Sequence, residues 1–171
     1  MGNEQWILYN NVEWKRSWGK RNKPPTTPKA GLHPKKVMLC IWWDWKRVLY
    51  DELLLENQTT NYNKYCSLLD QLKVALDEKH LELVNRKRII FHQDKARLPV
   101  SLMTRQKLVQ PGWEVLIHLP YSSDIAPSDF HLFWSLQNSL HGNNFNSLED
   151  CKRHLEQFFA QKDKKFWKME L

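Results

Sequence analysis

The longest unbroken run of apolar side chains in this sequence is Val37–Trp43, seven residues long. A helix that crosses a bilayer needs about 20 such residues, so the run predicts no membrane span. It has the length of a strand, and a strand without polar positions is typical of one buried on both faces. No charged start followed by an apolar stretch precedes it, so we also expect no secretory signal.

The rest of the chain alternates between strand-like and helix-like patterns within 171 residues, the size of one domain. Strands are predicted at Glu4–Tyr9, Lys36–Trp43, Val48–Leu55, Arg88–His92 and Glu114–His118. Helices are predicted at Thr60–Asp77, capped by Thr59 or Thr60, at Ser101–Gln110, at Asp129–Leu140, and at Leu148–Lys162, capped by Ser147. This order predicts one α/β domain, a mixed sheet with helices packed on its faces.

The positive charge of the chain is concentrated near its start. The 26 Lys and Arg residues exceed the 19 Asp and Glu residues and give a net charge of +7. Residues 1–36 hold eight basic and two acidic residues, so most of the surplus lies there. Prolines exclude a helix interior from much of this stretch, and we predict a basic loop at residues 14–35 between the first two strands. The basic residues of this loop, with the lysine that begins the next strand, predict contact with a polyanion. They are Lys15, Arg16, Lys20, Arg21, Lys23, Lys29, Lys35 and Lys36.

Two tryptophans in this loop, Trp14 and Trp18, have two open interpretations. In the first, they stack on bases or contact a phosphate backbone. In the second, they are buried against a neighbouring chain. Elsewhere, the three cysteines are far apart and have no C-x-x-C spacing, which predicts neither a disulfide framework nor a zinc site and fits a reducing compartment. The lone histidines His92, His118 and His131 lack metal-binding spacing and are expected to be structural.

Two acidic residues lie where α/β folds usually carry reactive groups. Asp94 comes two residues after the predicted Arg88–His92 strand, and Asp129 lies at the start of a predicted helix after the Glu114–His118 strand. Ligands gather beyond strand ends in such sheets, so both positions are candidates for a site. The alternative is that Asp94 ends a strand and that Asp129 or Ser128 caps a helix.

The two segments that contain these acids have specific motifs. Arg88–Leu102 reads RIIFHQDKARLPVSL and Glu114–Phe133 reads EVLIHLPYSSDIAPSDFHLF, and both resemble the catalytic core of mariner-type transposases. In that family 34 residues separate the second and third catalytic aspartates, and 34 residues lie between Asp94 and Asp129 here. The opening MGNEQWILY resembles the first catalytic strand, and WWDWKRVLY resembles the second hairpin. The resemblance covers almost the whole chain.

The resemblance implies an RNase H-like fold with helices on both faces of the sheet. It also implies a two-metal mechanism, in which three carboxylates hold two Mg²⁺ or Mn²⁺ ions for DNA strand cleavage and transfer. The first catalytic aspartate aligns with Asn3, which could offer a carbonyl oxygen to a metal but brings no charge. Lys95, beside Asp94, adds a competing positive charge. We therefore expect a metal site formed by Asn3, Asp94 and Asp129 with weakened occupancy and impaired cleavage.

The remaining expectations concern partners and organisation. We expect a single catalytic-type domain over residues 1–171, without the helix-turn-helix modules with which the family reads transposon ends. DNA contact would then be mostly non-specific and through phosphates, in the nucleus, with a homodimer possible and no membrane or small-molecule substrate. Two alternatives stay open: a non-catalytic DNA-binding or protein-interaction module, and a decayed transposon reading frame without function.

Overall fold

The computed structural model describes residues 1–11, 34–55, 62–79, 89–94, 112–118 and 126–168. Its strands are Gly2–Leu8 (β1), Lys36–Trp43 (β2), Val48–Leu54 (β3), Ile90–Asp94 (β4) and Glu114–His118 (β5). Its helices are Tyr62–Lys79 (α1), a π-helical segment Ser128–Phe133 that continues into Trp134–Leu140 (α2), Leu148–Ala160 (α3) and Lys164–Trp167 (α4). No helix in this part of the chain is long and apolar enough to cross a membrane.

The sheet is mixed, as the order of elements predicts. Its strand order is β3-β2-β1-β4-β5. The β1–β2 and β2–β3 pairs are antiparallel, whereas β1–β4 and β4–β5 are parallel. The α/β prediction and the mixed sheet are therefore confirmed.

Strand β2 is buried on both faces, which confirms the prediction from its apolar run. Its odd-numbered residues from Val37 to Trp43 pack in one core with α2, α3 and α4. Its even-numbered residues from Met38 to Trp42 pack in a second core with α1. Side chains of a strand alternate between faces, so one continuous apolar sequence supplies both cores.

Some predicted boundaries differ from the observed ones. Strand β1 begins at Gly2 rather than Glu4, and β4 extends to Asp94, so Asp94 ends its strand instead of following it. The cap of α3 is confirmed, because the Ser147 hydroxyl accepts a hydrogen bond from the Asp150 N–H at 3.1 Å. The predicted helix at residues 101–110 and the predicted Thr59 or Thr60 cap lie outside the described residues.

Two of the three cysteines are fully buried, on opposite faces of the sheet. Cys40 belongs to the core with α1 and Cys151 to the core with α2 and α3. Burial raises the pKa of both thiols, that of Cys151 to about 11. All three cysteines are free, and these two remain protonated and unreactive at neutral pH.

The start of β1 depends on a residue without a side chain. A Cβ at Gly2 would lie 2.3 Å from Nε1 and 2.4 Å from Cδ1 of Trp42, the residue opposite it in the sheet. The Trp42 ring is buried and packs against Tyr50 at a centroid distance of 5.9 Å, so it has no free space to enter. Glycine is therefore required here by the close approach of an indole ring.

We predict that Gly2→Ala lowers the free energy of unfolding by about 1–3 kcal/mol, because the added methyl group displaces a buried ring. Urea denaturation followed by circular dichroism measures this change. Gly2→Ala on a Trp42→Val background is the control, because valine has neither a Cδ1 nor an Nε1 atom and the added methyl group should then cost little. A single variant as stable as the parent would contradict the steric explanation.

Candidate functional site

Two of the predicted site residues, Asn3 and Asp129, are in direct contact. Asn3 lies in β1 opposite Ile41, on the sheet face covered by α2, and Asp129 lies in the first turn of the π-helical segment. The Asn3 side-chain amide Nδ2 donates a hydrogen bond to Asp129 Oδ1 at 2.7 Å, between residues 126 positions apart in the chain. The fold therefore brings together residues that are distant in sequence.

A second hydrogen bond fixes the orientation of the Asn3 amide. Its Oδ1 accepts a hydrogen bond from the Glu4 backbone N–H at 2.8 Å. If the amide were flipped, its NH₂ group would face the Glu4 N–H and its oxygen would face the Asp129 carboxylate. Both contacts would then be repulsive, so the amide presents its hydrogen atoms to Asp129.

The position of Asp129 depends on a hydrogen bond one residue earlier. Trp43, the last residue of β2, donates from its indole Nε1 to the Ser128 hydroxyl at 3.0 Å, and both groups are buried. Farther along the segment, Leu132 and Phe133 insert into the core shared with β2. The π-helical segment is therefore fixed to the sheet on both sides of Asp129.

The helix-capping alternative for Ser128 and Asp129 is wrong. The N-cap position is Pro127, and the backbone N–H of Asp129 reaches back to the Ala126 carbonyl oxygen at 2.9 Å. The Ser128 hydroxyl contacts Trp43, and the Asp129 carboxylate contacts Asn3. π-helical turns are rare and occur frequently at functional sites, which agrees with this arrangement.

Sequence reasoning did not identify Trp43 as part of this arrangement. The available signal was that a tryptophan at the end of a buried strand has one N–H group that needs an acceptor. Ser128 is the one buried polar residue in the described part of the core, so it was the matching acceptor. Neither residue can be paired with the other from the sequence, because 85 positions separate them.

Asp94 approaches the same place through the sheet. In the parallel pairing of β1 and β4, Gly2 lies opposite Gln93, and Asn3 and Asp94 are the next residues of their strands. Asp94 also lies opposite His118, the last residue of β5. The Asp94 backbone is thus close to Asn3. The Asp94 side chain lies outside what the structure describes, so its role as a metal ligand stays a prediction.

The contact between Asn3 and Asp129 does not fit a two-metal site in this arrangement. A bridging ligand must offer oxygen lone pairs to both cations, but Asn3 directs N–H groups towards Asp129, and one lone pair of its oxygen already accepts from the Glu4 N–H. Among the described residues, no group of three His, Cys, Asp or Glu side chains could hold a metal ion. The amide hydrogen bond instead gives the carboxylate a neutral partner.

His131, near Asp129, is structural as predicted. Its Nε2 donates a hydrogen bond to the Phe166 carbonyl oxygen at 2.7 Å, and its ring packs on that of Phe166 at a centroid distance of 4.3 Å. The contacts join the π-helical segment to α4. The ring is therefore used in packing.

Most of the predicted basic loop lies outside the described residues. This applies to Trp14, Trp18 and to six of the eight basic candidates: Lys15, Arg16, Lys20, Arg21, Lys23 and Lys29. Of the other two, Lys35 is exposed, and the Lys36 ammonium lies 4.3 Å from the centroid of the Trp6 ring. Lys35 therefore remains available to a ligand, whereas Lys36 has a cation–π contact within the protein.

Both ends of the loop are held close to the sheet. The Tyr9 N–H donates to the Lys35 carbonyl oxygen at 2.9 Å, which closes the base of the loop. Asn11 is bonded to the turn after α2, since its N–H donates to the Asn143 carbonyl and its own carbonyl accepts from the Gly142 N–H. The base of the loop is thus fixed relative to the helix that begins beside Asp129.

The chain is similar to transposases over nearly its whole length. Residues 8–86 match the family model described as transposase, partial DDE domain. The chain is 39% identical over 168 residues to the Mariner Mos1 transposase of Drosophila mauritiana, which covers 97% of this chain and 49% of that protein. It is 37% identical over 165 residues to the histone-lysine N-methyltransferase SETMAR of Homo sapiens, covering 96% of this chain and 24% of that protein. The chain thus spans half or less of these relatives.

Solved structures of Mos1 have the same fold. The Mos1 mariner paired end complex with Mn superposes with a TM-score of 0.88 at 40% identity, covering 97% of this chain and 49% of that one. The catalytic domain of Mos1 mariner transposase superposes with a TM-score of 0.79 at 38% identity, covering 97% of this chain and 71% of that one. This similarity confirms the RNase H-like fold. The chain belongs to the family of mariner transposase catalytic domains.

Proposed function

We propose that this domain binds DNA as transposases do but cuts it poorly or not at all. The observation that supports this proposal is the 2.7 Å hydrogen bond from Asn3 to Asp129. In this bond the neutral amide of Asn3 donates to the Asp129 carboxylate. Position 3 is where the family resemblance implies the first catalytic aspartate.

The charge at position 3 is the physical basis of this proposal. Two carboxylates at hydrogen-bond distance repel each other and favour a cation or a proton between them. An amide beside a carboxylate removes that repulsion and supplies a hydrogen-bond donor, so the pair is stable without a metal ion. The Mos1 paired end complex was solved with Mn, and a pair of bound divalent cations can stabilise the attacking and leaving oxygens of a phosphodiester. Here the same position favours a metal-free state.

DNA is the proposed partner on two grounds. The relatives that the chain resembles include a transposase solved as a paired end complex, and the first 36 residues hold eight basic residues against two acidic ones. Contacts of lysine and arginine with phosphates are independent of sequence and sensitive to salt. A homodimer and a nuclear location are part of the proposal, because the family acts on paired DNA ends.

Two other functions remain in competition. An active strand-cleaving enzyme would use Asp94 and Asp129 with Asn3 as a weak third ligand. A decayed reading frame would have no selected role, and the two cores on either side of β2 argue against loss of the fold. The binding proposal therefore takes precedence over decay because the sheet and both helix layers are complete enough to fold.

Plasmid nicking tests the proposal directly. We expect the unmodified chain, incubated with supercoiled plasmid and Mg²⁺ or Mn²⁺, to nick at least about 100-fold more slowly than the Mos1 catalytic domain, because one charged metal ligand is missing. The conversion of supercoiled to open-circular plasmid on agarose gels measures the rate. Strong cutting by the unmodified chain that Asp94→Ala abolishes would refute the impaired assignment.

A second prediction concerns the stability of Asn3→Asp without metal. The introduced carboxylate would face Asp129, so the pKa of the coupled pair would rise above the value in the unfolded chain. A raised pKa in the folded state costs stability at pH values above it, and this cost disappears as the pH falls through it. We expect the variant to be about 1–3 kcal/mol less stable than the parent at pH 7.5 and to approach the parent near pH 4.

Metal should reverse this difference. Added Mn²⁺ should raise the Tm of Asn3→Asp several degrees more than that of the parent, because a ligand that binds only the folded state stabilises it. Asn138→Asp, on the exposed face of α2, is the matched control for the added charge. Equal Mn²⁺ shifts for Asn3→Asp and Asn138→Asp would contradict the role assigned to Asn3.

The third prediction assigns duplex binding to the basic loop. Deleting residues 14–34 should weaken binding to a duplex oligonucleotide by at least about 100-fold at 100 mM salt and should reduce the salt dependence, because six phosphate-binding candidates are removed. Fluorescence anisotropy over a salt series measures both. Thermal denaturation confirms that the deleted protein is folded, and unchanged duplex affinity would disprove the assignment.

A further inference from the structure

Two large aromatic side chains are exposed directly after Asp129. Phe130 retains 45% and Trp134 66% of its accessible surface, although most apolar residues of the same helix are buried. Residues four positions apart lie on the same side of a helix, so the two rings form one strip along it. A strip of exposed aromatic rings beside a candidate site indicates a binding surface.

Helix α4 lies along the edge of this strip. The His131 side chain contacts the Phe166 backbone and ring, and the Lys162 ammonium donates to the Ser135 hydroxyl at 2.9 Å. His131 follows Phe130 in the chain, and Ser135 follows Trp134. The two residues that contact the α4 region are therefore next to the aromatic strip.

The α4 region adds positive charge to this surface. Lys164, Lys165 and Lys168 are exposed. Asp163, which directly precedes these lysines, caps the helix by accepting a hydrogen bond from the Phe166 N–H at 2.8 Å, and Glu170 is the other acidic residue near them in sequence. From residue 130 to residue 148 the sequence holds no Asp or Glu at all. The surface therefore combines exposed rings with an excess of cations.

We propose that Phe130, Trp134 and the three α4 lysines form a second DNA-contact surface, which binds an unpaired strand. This inference rests on the proposed function, because the ligand of the second surface is also DNA. Bases of a single strand stack on the two rings, and the lysines contact the phosphates between them. In an intact duplex the faces of the bases are already stacked on each other, so the aromatic rings select unpaired nucleotides.

The composition of the surface favours nucleic acid over an apolar protein partner. The exposed aliphatic residues Val74, Ile90 and Leu116 belong to α1, β4 and β5 and not to this helix. A protein-binding patch would be expected to hold such residues at its centre. Here the helix carries no Lys, Arg, Asp or Glu from Phe130 to Leu140, and the α4 region that contacts it carries exposed lysines, which suits a charged strand with aromatic bases.

Binding of a fluorescein-labelled dT₂₀ oligonucleotide tests this proposal. Trp134→Ala should weaken binding by about 5- to 100-fold, the range for the loss of one stacked base, and Phe130→Ala should add a further loss. Duplex affinity should change less than twofold. Trp45→Ala is the matched control, because Trp45 is also an exposed tryptophan, 53% accessible, with the Lys46 ammonium 4.5 Å from its ring centroid, but it lies in the β2–β3 turn.

The lysines have a separate readout. Changing Lys164, Lys165 and Lys168 together to Gln should reduce the slope of log affinity against log salt for dT₂₀ by about 2, since each phosphate contact on a single strand contributes about 0.7. The triple variant and the aromatic variants alter exposed side chains, and thermal denaturation should show an unchanged Tm.

Three outcomes would overturn the inference. The first is equal dT₂₀ affinity of Trp134→Ala and the parent while duplex binding persists, which leaves the proposed DNA function intact. The second is an equal loss for duplex and dT₂₀, which would make the surface a general DNA contact. The third is unchanged DNA binding with reduced self-association in sedimentation, which would assign the surface to a second copy. Absence of all DNA binding by the parent would instead reject the proposed function.

Discussion

The burial of β2 between two helix layers is the constraint on which the other features of this domain depend. Because every side chain from Val37 to Trp43 is removed from water, both faces of the sheet must be covered, by α1 on one side and by α2, α3 and α4 on the other. Trp43, the last residue of this run, donates its indole N–H to the Ser128 hydroxyl on the α2 face. Hydrophobic burial thereby also determines where Asp129 lies.

The same geometry explains how the sheet accommodates an asparagine at position 3, where the resemblance implies an aspartate. An asparagine has nearly the shape of an aspartate, so it occupies the same place in β1 while it changes a repulsive pair into a hydrogen bond. The substitution favours the folded state without metal, although it opposes the chemistry that the resemblance implies. Under the proposed function, metal-free stability and metal-dependent cleavage therefore make opposite demands on position 3.

Local sequence pattern predicted the elements well and the contacts between them poorly. The bounds of β2 and β5 follow from composition, since both are short apolar runs between polar turns. The start of β1 was missed because glycine has a low preference for strands, yet Gly2 is required there by the Trp42 ring. The π-helical turn was read as ordinary helix, because the apolar spacing of Phe133 and Leu136 is compatible with both.

At the candidate site, too, the sequence indicated the residues but not the contacts between them. The motifs around Asp94 and Asp129, together with their spacing, indicated the family, but the contact between Asn3 and Asp129 arises from strand pairing and helix packing across 126 positions. The direction of the hydrogen bond between Asn3 and Asp129 could not be predicted from the sequence either. The resemblance allowed Asn3 a metal-binding oxygen, whereas the hydrogen bond from the Glu4 N–H holds that oxygen away from Asp129 and turns the amide N–H groups towards the carboxylate.

Charge counted along the chain is likewise an incomplete guide to charge in space. The residues after position 36 are nearly neutral in sum, which directed attention to the basic loop alone. In the fold, the lysines of α4 lie beside a helix without acidic residues from Phe130 to Leu140, while the compensating acids lie on other elements. A neutral sum is therefore compatible with a locally cationic surface. Because electrostatic attraction between exposed groups falls off within about 10 Å, a polyanion responds to that local surface rather than to the sum.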